Sequence, residues 1–190
     1  MPVRTERRGR EAAQHEFTLV LEGSDVLEAR NLDAWFEAGC EDATFGDVDG
    51  VGFADFARTA PSAPEAMLSA IDQLESAVPS VRVIRVEPDD LVNASEIASR
   101  LGRSRESVRL LISGDRGPGG FPAPLSHLKS RGRLWRWAEV ARWTQDALGT
   151  PPAETETSIF VAALNDVLDL RRLSLETRGW MKSVVGLLPV

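Results

Sequence analysis

The residues with most chemical promise are four polar side chains in one short segment, Arg105, Glu106, Arg109 and Ser113. At about 100° per residue they share one side of a helix, and Val108, Leu111 and Ile112 fall on the other. A helix divided in this way buries its apolar side and presents guanidinium forks outward. The planar fork matches guanine edges and phosphate oxygens, so the pattern supports recognition by hydrogen bonding and charge. Nothing comparable supports bond-breaking. His15 and His127 stand apart from any nucleophile and acid that would complete a catalytic set. Cys40 follows Gly39 among Glu37, Glu41 and Asp42, an acidic setting that disfavours a thiolate. Asp47 and Asp49 flank a turn that resembles half of a calcium loop, without the bidentate Glu that such a loop needs. The chain is therefore not expected to be an enzyme, and no cofactor or metal is expected.

The flanking sequence supplies the elements that would position the four residues. Asn93-Ala94-Ser95-Glu96 is a capping box, in which the first and fourth side chains satisfy each other's orphan amides. It predicts a helix with a buried stripe of Ala94, Ile97, Ala98 and Leu101, stopped at Gly102, where a left-handed residue is favoured. Ser104 can then cap a second helix over 105–113. Two short helices joined at Gly102-Arg103-Ser104 have helix-turn-helix spacing, in which the second helix enters the major groove of duplex DNA.

The charge distribution agrees. The chain of 190 residues has a formal net charge of −7, but the charge is unevenly placed. Residues 16–92 hold four Arg against seventeen acids, whereas residues 93–145 hold ten basic residues against four acids. The second segment alone can attract phosphate. The acidic segment would be repelled, so it should face away from a duplex and serve dimerisation, a protein partner or a ligand.

Beyond the helix pair come the loop Gly117-Pro118-Gly119-Gly120-Phe121-Pro122-Ala123-Pro124, a basic stretch with Lys129, Arg131 and Arg133, and Trp135-Arg136-Trp137 leading into Glu139-Val140-Ala141-Arg142-Trp143. In these motifs the segment 91–148 resembles the excisionase and AlpA-type branch of winged helix-turn-helix DNA-binding proteins, related more distantly to the MerR group. Three features carry the resemblance: a Phe-Pro-x-Pro turn, an Arg-Trp strand and a Glu-Val-x-x-Trp helix. It implies sequence-specific binding of double-stranded DNA through a recognition helix at 105–113 and a basic wing. The expected DNA-binding residues are Arg103, Ser104, Arg105, Glu106, Arg109, Ser113, Arg116, Lys129, Arg131, Arg133 and Arg136. Strand alternation would point Arg136 outward to solvent or phosphate. Trp135, Trp137 and Trp143 are expected to pack in the core.

The overall expectation is an α+β protein: a tail over 1–15, an acidic α+β domain over 16–88, a winged helix-turn-helix over 91–148 and a helical segment over 153–190. Within the acidic domain, strands are predicted at Phe17–Leu21, Ala43–Phe45, Val51–Phe56 and Val81–Val86, with helices at Leu32–Glu37 and Ser62–Ser76. Their order, β-α-β-β-α-β, is that of a small ferredoxin-like sandwich. Pro88-Asp89-Asp90 and Gly149–Thr157 read as linkers, and helices are expected at Ser158–Leu170 and Leu175–Leu188. The first carries Ile159, Phe160, Ala163, Leu164, Val167, Leu168 and Leu170, an apolar face suited to a homodimer on a palindromic site. A lone cysteine and the lack of a long apolar stretch suggest a cytoplasmic protein without a membrane segment. The expected role is a transcriptional regulator. The alternatives are an antitoxin of HicB-like architecture whose acidic domain binds a basic toxin, and an excisionase-like recombination factor.

Overall fold

Apolar residues at every second position, Phe17, Leu19 and Leu21, bury one face of the first strand, β1 (Ala13–Gly23). This computed structural model describes residues 12–23, 26–126, 132–149, 155–176 and 186. After β1 come α1 (Ala29–Glu37), β2 (Ala43–Val48), β3 (Val51–Ala60), α2 (Ala63–Ala77) and β4 (Val81–Glu87). The strands form one antiparallel sheet in the order β2-β3-β1-β4. Phe17 lies opposite Phe56, with their rings stacked at 5.3 Å, and Leu19 lies opposite Ala54. On the same face Trp35 of α1 stacks on Phe45 at 4.5 Å and donates its indole N–H to the Leu74 carbonyl of α2. Ala66, Met67, Ala70 and Leu74 complete this core.

Two departures from the sequence reading have local causes. The strand β1 begins at Ala13, so Ala13, Gln14 and His15 pair with Ala60, Thr59 and Arg58 and do not belong to a tail. Residues Gly46–Gly50, between the strands expected at Ala43–Phe45 and Val51–Phe56, are not all turn. Only Asp49 and Gly50 turn, both at positive φ, while Gly46 stays in β2 opposite Phe53. A Cβ at Gly46 would stand 2.3 Å from the Phe53 ring, so the aromatic side chain occupies the space that the glycine leaves. Ser62 caps α2 by accepting from the Glu65 amide, with Pro64 in the first turn.

The second group of elements is β5 (Leu91–Val92), α3 (Ala94–Arg100), α4 (Arg105–Ser113), β6 (Trp135–Arg136), α5 (Trp137–Leu148) and α6 (Thr155–Glu176). The capping box at Asn93 forms fully, with Glu96 accepting from the Asn93 amide at 2.6 Å. At the other end of α3 the Gly102 and Arg103 amides bond to the Ser99 and Ala98 carbonyls, with Gly102 at φ +60°. This paired closure satisfies the last carbonyls and turns the chain into α4. Strands β5 and β6 pair antiparallel, and one core gathers Val92, Ile97, Ala98, Val108, Trp135, Trp137, Val140 and Ala141. The architecture is thus α+β, with a four-stranded antiparallel sheet and six helices among the described residues.

The described residues fall into two compact units, one up to Pro88 together with those from Val167 on, the other Asp89–Asp166. The helix expected at Ser158–Leu170 is longer, and its buried side is Val161, Ala162, Asn165 and Leu168, while Val167 is 60% exposed. Arg171 of α6 binds both carboxylate oxygens of Glu75 and the Val83 carbonyl, all within the first unit. The helix expected at Leu175–Leu188 and most of the linker Gly149–Thr157 lie outside the described residues. No helix of the described residues is long and apolar enough to cross a membrane.

Candidate nucleic-acid interface

The α3–α4 pair is held from beneath. Ile97 and Val108 are fully buried, and Leu111 is nearly so, which fixes the rotation of α4 about its axis. Ser104 caps α4 by accepting from the Ser107 amide at 3.1 Å, and Gly114 ends it at φ +77°. Arg105, Glu106, Arg109 and Ser113 are exposed on the outer face, as the helical spacing requires, and Arg103, Ser104 and Arg116 are exposed at its ends.

These side chains differ in what they already bind. Arg109 donates from Nε and Nη2 to the two carboxylate oxygens of Glu106, at 3.0 and 2.7 Å. That hydrogen bond holds the Glu106 carboxyl below its usual range and makes Arg109 harder to deprotonate. Ser113 donates to Asp115 at 2.6 Å. The side chains of Arg103, Arg105 and Arg116 have no hydrogen-bond or ion-pair partner among the described residues.

The glycine and proline loop after α4 is pinned by aromatic side chains. Trp143 donates its indole N–H to the Gly119 carbonyl at 3.0 Å, and Trp135 donates to Pro122 at 3.1 Å. Phe121 sits edge-on to Trp135 and tilted on Trp143. Beyond it, the Leu125 amide bonds to the Leu134 carbonyl and Ser126 bridges to Leu134, so the chain returns antiparallel into β6. Lys129 and Arg131, expected in a basic wing, lie outside the described residues, as does His127. Arg133 is half-buried, with its guanidinium 5.6 Å from the centre of the Trp135 ring.

Arg136 departs from expectation. Its Nη2 donates to both oxygens of Asp166, at 2.7 and 2.9 Å, and its Nη1 lies 3.9 Å from Asp90. The strand ends at Arg136, which becomes the residue preceding α5, and two carboxylates of the same unit claim its charge. It clamps the unit and does not reach outward.

Asp90 is the residue that sequence reasoning missed. The linker expected at Pro88-Asp89-Asp90 would leave it in solvent, yet it is 2% exposed. Its backbone carbonyl accepts from the Trp137 amide at 2.7 Å and its Oδ1 accepts from the Ala138 amide at 2.8 Å. Arg136 offers no side-chain cap to α5, so Asp90 performs that task from a distant part of the chain. The Asp90 Oδ2 has no hydrogen-bond partner. Burial pushes its carboxyl up, and the Ala138 amide and the Arg136 charge offset this only in part.

The wider electrostatics are more even than the segment sums imply. The unit Asp89–Asp166 holds ten acidic and ten basic residues, because Asp89, Asp90, Asp146, Glu154, Glu156 and Asp166 join it at its ends. Among the described residues, exposed arginines gather at the α3–α4 turn, on the outer face of α4 and at the start of the following loop, and Arg142 is exposed on α5. In the first unit the main buried charge is Arg58, which is bound bidentately by Asp42 at 2.8 and 2.9 Å and by Ser69. Burial raises the Cys40 thiol beside it. Among the described residues no group of three or more His, Cys, Asp or Glu side chains is placed to hold a metal ion. No family model, no curated protein and no solved structure matches this chain.

Proposed function

We propose that this protein binds double-stranded DNA sequence-specifically, with α4 in the major groove, and acts as a transcriptional regulator. One observation carries the reading. Helix α4 has its apolar side locked into a core, and its opposite side carries exposed arginines, of which Arg105 has no partner among the described residues. A rigid helix with free guanidinium groups at its N-terminal turn is what base and phosphate contacts require. Exposed Arg103 and Arg116 at the two ends of α4 add phosphate contacts.

The helix pair, the β5–β6 ladder and the antiparallel return at Leu134 support a winged helix-turn-helix of the excisionase and AlpA kind for residues 91–148. The sheet order β2-β3-β1-β4 supports a ferredoxin-like reading of the first unit. A homodimer on paired half-sites follows from the few base pairs that one such module reads. Because α6 contributes to both units, removing residues 150–190 would disturb both, and the oligomeric state is better measured on the full chain by light scattering with and without DNA.

The second reading, an antitoxin, has its own observation. A shallow cleft of the first unit is lined by Glu16, Asp42, Asp55 and Glu87 with Thr18 and Thr44, a surface that would suit a basic protein partner. The two readings separate on one experiment, in which the full-length protein is incubated with a random duplex pool and the retained DNA is sequenced. Enrichment of a defined motif supports the regulator. Retention of no duplex at low salt refutes DNA binding and leaves the acidic surface as the functional one.

A further inference from the structure

We infer that Glu106 is a positioning residue that presents Arg109 to a guanine of the target site, an inference that rests on the DNA-binding reading of α4. A guanidinium has five N–H donors: one on Nε and two on each Nη. Glu106 occupies the Nε side, taking the Nε–H and one hydrogen of Nη2. The far end of the fork remains, with both hydrogens of Nη1 and one of Nη2. Two of these point along parallel directions, with the spacing that the O6 and N7 acceptors of guanine require. The clasp therefore leaves the guanine-reading end open and consumes the side that would otherwise compete for it.

The location agrees with the chemistry. Glu106 and Arg109 are one helical turn apart on the exposed face of α4, and the cap at Ser104 and the buried Val108 and Leu111 fix where that face points. A free arginine loses much rotamer freedom when it is fixed against a base, and a clasped one has already lost part of it. A carboxylate beside a polyanion also weakens attraction to every duplex equally. The pair thus trades general affinity for discrimination at one base pair. Arg105, which is exposed and has no carboxylate partner among the described residues, is the contrasting case: an unclasped cation suited to phosphate.

The test uses full-length protein and the duplex that the wild type selects from a random pool. Affinities are then measured on that duplex, on its single-base-pair variants and on unrelated DNA, for the wild type and for Glu106→Ala, Glu106→Gln and Arg109→Lys. The expected wild-type pattern has one G·C pair whose replacement by A·T weakens binding about 5- to 150-fold. Glu106→Ala should bind unrelated DNA more tightly while losing most of the preference at that pair and keeping the preferences elsewhere. Arg109→Lys should lose the same preference, and Glu106→Gln, which still accepts one hydrogen bond, should fall between. Full discrimination retained in Glu106→Ala would overturn the positioning role. So would a preference lost in the Glu106 variants and kept in Arg109→Lys, because Glu106 would then be reading a cytosine itself. A wild type that selects no duplex would instead overturn the proposed function.

Discussion

Replacing Asp90 separates the two tasks that its carboxylate performs, capping a helix and carrying a charge. The Ala138 amide is buried and has the Asp90 Oδ1 as its acceptor, whereas the Trp137 amide uses the Asp90 backbone and is unaffected by substitution. Asp90→Ala removes a cap worth about 1 kcal/mol and leaves a buried donor unpaired, at a cost of about 1–3 kcal/mol that overlaps with the first. Relief of a buried carboxylate whose Oδ2 lacks a partner offsets part of this, so the net loss at pH 7 should be about 1–2 kcal/mol. Asp90→Asn keeps an acceptor for Ala138 and removes the charge, and it should lie within about 1 kcal/mol of the wild type.

The pH dependence of Asp90 has a definite sign. The folded-state carboxyl is raised by burial, so the folded protein binds the proton more tightly than the unfolded chain. The contribution of Asp90 to stability is therefore fully present in acid, below the ordinary carboxylate range, and is lost as pH rises through the raised value. Between these limits the wild type should gain stability on acidification, and both variants should lack that component. Amide exchange across α5, measured by mass spectrometry from below the ordinary carboxylate range up to neutral pH, reports the opening free energy of this unit separately from the other. If Asp90→Asn proved as damaging as Asp90→Ala at pH 7, the Arg136 ion pair and not the cap would be what Asp90 supplies.

Other consequences are equally direct. Trp135 is 2% exposed, so Trp135→Ala should cost about 3–5 kcal/mol, and Trp135→Phe, which loses mainly the bond to Pro122, about 1–2 kcal/mol, both read by chemical denaturation. Arg58→Met leaves the Asp42 carboxylate without its counter-charge. Because Asp42 is partly solvated, the cost should be about 2 kcal/mol, below that of a fully buried pair. The Arg58 hydrogen bond holds the Asp42 carboxyl low, so the pair contributes above the ordinary carboxylate range and that contribution is lost as pH falls through the lowered value; the gap between wild type and Arg58→Met should narrow in acid. Arg103→Gln, Arg105→Gln and Arg116→Gln should each reduce the slope of log affinity against log salt by about one, measured by fluorescence anisotropy with duplex DNA.

What the sequence made legible was mostly local. The capping box at Asn93, the left-handed stop at Gly102 and the split faces of α4 depend on neighbours within one or two turns, and all three appear as their spacing implies. The failures involve partners on other elements, across a ladder or from a distant part of the chain. Gly46 looks like a turn residue until Phe53 is seen across the ladder, and Asp90 looks like a linker until the amide of Ala138 is seen above it. Arg136 obeys strand alternation in principle, but its strand is two residues long and Asp166 arrives from α6. His15 carries no apolar pattern that would announce a strand, yet β3 is long enough to pair with it. The Glu106–Arg109 clasp could have been anticipated, since residues three apart on a helix are neighbours.

The central claim, that α4 recognises duplex DNA, is tested most directly by measuring the affinity of the full-length protein for its selected duplex and for a scrambled duplex of equal length as salt is raised, alongside Arg105→Gln. The account predicts steep weakening with salt on both duplexes, a preference for the selected one that persists at moderate salt, and a shallower slope for the variant. Equal affinity for both duplexes at every salt concentration, or binding unchanged by Arg105→Gln, would contradict it.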